Sequence, residues 1–79
     1  ELAMKLAERI EAKPDVMLGK PVIRGTRIPV ELILRRISEG AAEDDLLASY
    51  PHLTRDDIRA AVAFAADTIA NDEIVEIVR

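Results

Sequence analysis

The sequence predicts an α+β domain, mainly α, in which an N-terminal β-ribbon or hairpin precedes three helices. Three observations carry that prediction. Two of the three glycines and two of the four prolines fall within residues 19–30, GKPVIRGTRIPV, among β-branched residues, a mixture that suits tight extended turns. From Val30 onward apolar residues recur at helical spacing, and Gly40 and Pro51 act as stops. The length, 79 residues, allows one domain. We divide residues 1–79 into a ribbon (9–29), a three-helix unit (30–70) and an amphipathic tail (71–79).

Gly19-Lys20 separates two apolar triplets, Val16-Met17-Leu18 and Pro21-Val22-Ile23. A two-residue loop with glycine first fits a type II′ hairpin turn, which needs positive φ there. Pro21 has no N–H to donate, so its strand is an edge or a beginning. Gly25 permits a second bend, after which Thr26-Arg27-Ile28 continues extended. Ile28 is pushed toward β by the proline that follows it, and Pro29 suits a first helical turn. Upstream, Leu2 and Leu6 suggest a helix or frayed end to about Ala7. The alternation of residues 9–12 then suggests a strand that pairs with the ribbon, and Pro14-Asp15 a turn.

Val30, Ile33, Leu34 and Ile37 form the apolar stripe of a first helix, Val30 to Glu39, with Gly40 as its C′ residue. Leu32 lies off the stripe, as an exposed leucine or a contact residue. A short second helix runs from Ala42 to Ser49 or Tyr50, with Glu43, Asp44 and Asp45 in its first turn, where the helix dipole favours anions. The Tyr50 ring is expected to pack in the core. Thr54 and Asp57 approximate a capping box, and Leu53 and Ile58 a hydrophobic staple, for a third helix reaching about Ala70. Its expected core stripe is Ile58, Ala61, Val62, Ala65 and Ile69. In the tail, Ile74, Val75, Ile77 and Val78 form either a docking peptide for a partner or a last turn folded back on the core.

Composition narrows the function. There is no cysteine, hence no disulfide and no thiolate metal site, and the one histidine, His52, sits in a turn. The acidic residues cluster in helix first turns, where capping and dipole effects account for them. Neither an enzyme nor a metal or other cofactor is expected. No apolar run approaches the ~20 residues that span a bilayer, and the first residues lack the apolar core of a signal peptide, so a cytoplasmic protein with no membrane partner is expected. Two aromatics, Tyr50 and Phe64, are too few for stacking along single-stranded nucleic acid. So short a chain buries little core, and a homodimer is the expected remedy.

The net charge of −4 conceals an asymmetry. Residues 13–36 hold six cations against two acids, +4, while residues 37–79 hold three arginines against ten acids, −7. Such a chain presents two solvated faces, or two partners of opposite charge. Three short helices with a tight turn between the second and third resemble a helix-turn-helix, in which Arg55 and Arg59 would enter the major groove of double-stranded DNA, accompanied by Asp56 and Asp57. A two-stranded β-ribbon also fits the major groove. The candidate DNA contacts are therefore Lys20, Arg24, Arg27, Arg35 and Arg36, ahead of Arg55 and Arg59. Arg27 has a structural alternative, an ion pair with an acid such as Glu31 that fixes the turn.

The combination of Gly19-Lys20-Pro21, Gly25-Thr26-Arg27, Pro29-Val30, Gly40, Tyr50-Pro51, Leu53-Thr54 and Ile58 resembles the bacterial family called "domain of unknown function 433", over about residues 9 to 66. Ala42 departs from it, standing where a serine or threonine cap is common. The resemblance implies a helix-turn-helix-like fold with an N-terminal β-ribbon. It also implies an antitoxin-like role beside a nuclease-like (PIN-type) toxin; the expected function is the antitoxin of a type II toxin-antitoxin pair that neutralises this toxin, with binding to its own promoter DNA as a further expectation. The alternatives are a stand-alone DNA-binding regulator and a protein-interaction module without DNA.

Overall fold

The computed structural model describes residues 3–71. Three strands, β1 (Met4–Ala7), β2 (Ile10–Ala12) and β3 (Val22–Ile23), form an antiparallel sheet in the order β1-β2-β3. Three helices follow: α1 (Val30–Ser38), α2 (Glu43–Ser49) and α3 (Arg55–Asn71). Ile10 and Ile23 from the sheet, Val30 and Ile33 from α1, Leu46 from α2, Leu53, and Ile58 and Ala61 from α3 make one core. Tyr50 packs against it.

The α+β ribbon-then-helices architecture is as expected, but the ribbon is wired differently. Residues 4–7 are a strand and not a helix. Met, Lys, Leu and Ala favour helix intrinsically, yet here their backbone pairs with β2, and tertiary pairing overrides so weak a preference. The register is Met4 opposite Ala12 and Ala7 opposite Ile10, with a bulge between Lys5 and Ala7. Arg9, in the connecting turn, adopts φ 67.

Val16-Met17-Leu18 is not the hairpin partner of β3. β3 already has β2 on one side and Pro29 on the other, so no edge remains for residues 16–18. They curl instead into a left-handed turn, with φ values of 51 at Met17, 59 at Leu18 and 80 at Gly19. The Gly19 N–H donates to the Val16 carbonyl and the Lys20 N–H to that of Met17. For an L-residue this conformation costs roughly 1–2 kcal/mol. Leu18 is 93% exposed and has little packing to offset the cost. Leu18→Gly is therefore expected to raise stability by about 0.5 kcal/mol, the relief of strain exceeding the added entropy of the unfolded chain. Urea denaturation would show it as a higher midpoint at unchanged slope, and a lower midpoint would mean that Leu18 packs on something in the native state.

α1 ends as the sequence demands. Gly40, at φ 100, is the C′ residue of a Schellman motif: its N–H donates to the Ile37 carbonyl, and the Ala41 N–H to that of Arg36. Ala42 has no side-chain acceptor, but the Asp45 carboxylate accepts the Ala42 N–H at 2.8 Å, keeping half of a capping box. At α3 both halves are present. The Asp57 carboxylate accepts the Thr54 N–H at 3.0 Å, and the Thr54 hydroxyl accepts the Asp57 N–H at 3.1 Å. Leu53 and Ile58 are buried beside that cap as its apolar staple. Of the expected α3 stripe, Ile58 and Ala61 are buried and Ala65 is half-buried. Val62 and Ile69 are exposed, while Phe64, between them in the chain, packs against the core.

Candidate nucleic-acid interface

The ribbon's real hairpin lies one step later than the sequence suggested. The Val30 N–H donates to the Pro21 carbonyl, Val22 bridges Pro29, and the Ile23 N–H donates to the Ile28 carbonyl. The four residues left at the tip are Arg24, Gly25, Thr26 and Arg27. The expected bend at Gly25 is therefore a reversal, and Thr26-Arg27 does not continue as an extended segment.

Several bonds fix this tip. The Thr26 N–H and hydroxyl both donate to the Ile23 carbonyl, at 3.0 and 2.7 Å, and the hydroxyl accepts the Ile28 N–H at 3.0 Å. Gly25 takes φ 78, the sign that the third position of a type II turn requires. Two further bonds come from the sheet. The Arg24 N–H donates to the Arg9 carbonyl at 2.8 Å, and the Gly25 N–H donates to the Glu11 carboxylate at 3.0 Å. Glu11 is only 8% exposed, and Lys13 stands 3.7 Å from the same carboxylate oxygen. Arg27 does not fix the turn by pairing with Glu31. Thr26 and Glu11 fix it, and both arginine side chains are exposed without an ion-pair partner among the described residues.

The other candidate cations are placed differently. Lys20 and Arg35 are brought together by Glu31, whose carboxylate lies 3.3 Å from each. The Lys20 hydrogen bond first, and that of Arg35 second, hold the Glu31 carboxyl below its ordinary pKa. The contribution of that trio to stability is thus present above the unfolded carboxylate value and lost as pH falls through the lower folded one. Arg36 is half-buried on α1, with no ion pair among the described residues. The Arg55 guanidinium spans Glu43 at 2.7 Å and Asp44 at 2.6 Å, fastening α3 to the start of α2. Those bonds, Asp44's the larger, raise its pKa further. Arg59 lies 3.4 Å from Asp56.

The start of α3 is therefore an acidic corner. Arg9 reaches it from the sheet, 3.2 Å from Asp57 and 3.6 Å from Asp56. Glu11 and Arg9 are the residues that sequence reasoning missed. Glu11 left a trace as a carboxylate in an alternating strand. Arg9 left none, because its partners lie 47 and 48 residues away. A second feature is an apolar groove of about 590 Å³ between α1 and α3. Val30, Leu34, Phe64 and Ile69 line it, and Lys20, Glu31 and Arg35 stand at its rim. The tail candidates Ile74, Val75, Ile77 and Val78 lie outside the described residues. No described helix is long and apolar enough to cross a membrane.

Residues 10–65, from β2 to the middle of α3, match the model of a family described as "Protein of unknown function (DUF433)". The crystal structure of a DUF433 member from Anabaena variabilis ATCC 29413 superposes with a TM-score of 0.74 at 37% identity, over 82% of this chain and 64% of that one. An uncharacterized protein, y4eO, from Sinorhizobium fredii is 34% identical over 58 residues, 73% of this chain. The chain spans about a quarter (26%) of that relative's length.

Proposed function

The chain belongs to the DUF433 family, and from that membership together with its stapled arginine hairpin we propose that it is an antitoxin-type regulator. In this reading it binds double-stranded DNA of its own promoter and, through a separate face, a nuclease-like (PIN-type) toxin in the cytoplasm. One observation carries the DNA half: the Arg24–Arg27 tip is rigid, exposed and cationic, with neither guanidinium engaged by a described acid. A β-hairpin of this width enters the major groove, where arginines contact phosphates and guanine edges. Lys20 and Arg35 add charge at one remove, through Glu31. Arg55 and Arg59 are occupied by carboxylates, which favours the ribbon over the third helix as the reading element. The role is one of binding and not catalysis, in keeping with a lone, exposed histidine and no cysteine.

The apolar groove between α1 and α3 favours a protein partner as well, since its lining is apolar and its rim charged. The two halves separate experimentally. Binding to a promoter fragment should fall steeply with salt through counterion release, and absence of binding even at low salt would end the DNA reading. Co-purification from the native cells should recover a small nuclease-like protein. That recovery should fail when residues 72–79 are deleted, and unchanged recovery would remove the tail from the toxin contact.

A further inference from the structure

Beyond Ala61 the third helix keeps support from its own domain on one side only, where Phe64 packs against the core and Ala65 is half-buried. Its buried residues, Asp57, Ile58 and Ala61, all lie in the first half. Val62 is 46% exposed and Ile69 60%, and Ala63, Ala66 and Ala70 are exposed. Arg59, Ala63, Ala66 and Ala70 fall at i, i+4, i+7 and i+11, one straight ridge directed away from the core. Val62 and Ile69 flank it on one side and Asp67 on the other. Half a helix of this kind is not stable on propensity alone, and helices of this length normally draw their stability from packing.

We propose that this ridge is where a second copy of the chain docks, α3 against α3, antiparallel about a twofold axis near Ala63. The charge pattern selects that occupant. Arg59 and Asp67 stand four residues to either side of Ala63. An antiparallel twofold pairing therefore sets each Arg59 near the Asp67 of the other copy, twice over, as an isologous interface requires. A parallel pairing would set arginine on arginine and carboxylate on carboxylate. Asp67 is the one charged residue between Ala60 and Asn71, and Glu43, beside the ridge, already has the Arg55 guanidinium as its partner. The alanines let the two backbones approach closely. The flanking apolar side chains meet over a trough of about 490 Å³, lined by Ile37, Ala41, Ile58 and Val62. The Asp56 contact of Arg59, an exposed pair within one helix at 3.4 Å, is a weak competitor. This inference rests on neither the DNA nor the toxin half of the proposed function.

Sedimentation equilibrium of the full chain tests it, with circular dichroism confirming helix content. The wild type should be a dimer. Arg59→Asp and Asp67→Arg should each weaken the dimer about tenfold, two lost pairs acting together, and the double variant should restore it. Ala66→Arg, which places a long cation on the seam, should give a monomer of unchanged helicity. A monomeric wild type overturns the proposal, including the case in which cross-linking finds only a different protein on this face. So does a dimer that Ala66→Arg leaves intact, or a double variant no better than its singles. Should Ala66→Arg unfold, the charge exchange at two exposed positions still decides.

Discussion

Promoter affinity is expected to drop about 100-fold at low salt when Arg24 and Arg27 are both replaced by alanine, with the slope of log K against log salt falling by about 1.8, the share of two phosphate contacts. Both side chains are exposed, and the bonds that shape the tip run through Thr26, Glu11 and the backbone. The double variant should therefore fold normally and lose only contact energy. Arg55→Ala is the informative control. Its guanidinium is held between Glu43 and Asp44, so promoter affinity should stay within about twofold, since the charge it removes is already compensated. A salt slope left unchanged by the double variant, or a larger loss from Arg55→Ala, would move the contact from the ribbon to the third helix.

Asp57→Ala should cost about 2–3 kcal/mol of folding stability. The residue is 7% exposed, and its carboxylate closes the cap of α3 on the Thr54 N–H, a role worth roughly 0.5–2 kcal/mol when lost from a helix start. It also receives Arg9 at 3.2 Å. Hydrogen bonds to charged groups carry about 1.5–3 kcal/mol, discounted here because the Arg9 side chain is 37% exposed. For a domain of this size the loss corresponds to a fall in Tm of about 10–20 °C. Asp57→Asn keeps an acceptor for the Thr54 N–H and should recover more than half of the loss. Arg9→Ala should reproduce the remainder. A Tm for Asp57→Ala within a degree or two of wild type would show that the clamp contributes nothing.

The helices were legible because their signals are local. Thr54 and Asp57 are three residues apart, Gly40 follows its helix directly, and the Val30–Ile33 spacing marks the buried side of α1. The ribbon was legible as a ribbon but not in its pairing. Gly19 announced a turn with positive φ, and the turn is there, yet it extends over Met17 and Leu18 as a left-handed coil that no propensity favours. What decides the pairing is which edges of β3 are already taken, by β2 and by Pro29, and that is settled by contacts across the fold. The stripe on α3 misled for a similar reason. Periodicity says that Val62 and Ile69 are apolar and roughly on one side, but not that the core packs against Phe64 instead. Of the candidate cations, the glycine between Arg24 and Arg27 marked their place at a bend, while the engagement of Arg55 depended on α2 and α3 meeting at a corner.

The bond from the Glu11 carboxylate to the Gly25 N–H has a thermodynamic consequence. A loop anchored from inside the sheet has already lost its conformational freedom before any partner arrives. A flexible four-residue tip would surrender roughly 1–2 kcal/mol of backbone entropy per residue on being gripped. This one surrenders little, so its association should resemble the docking of two rigid bodies, with a modest heat-capacity change and no signature of coupled folding. The same anchor shields the amide of Gly25, which should exchange with solvent slowly although its residue lies at the surface.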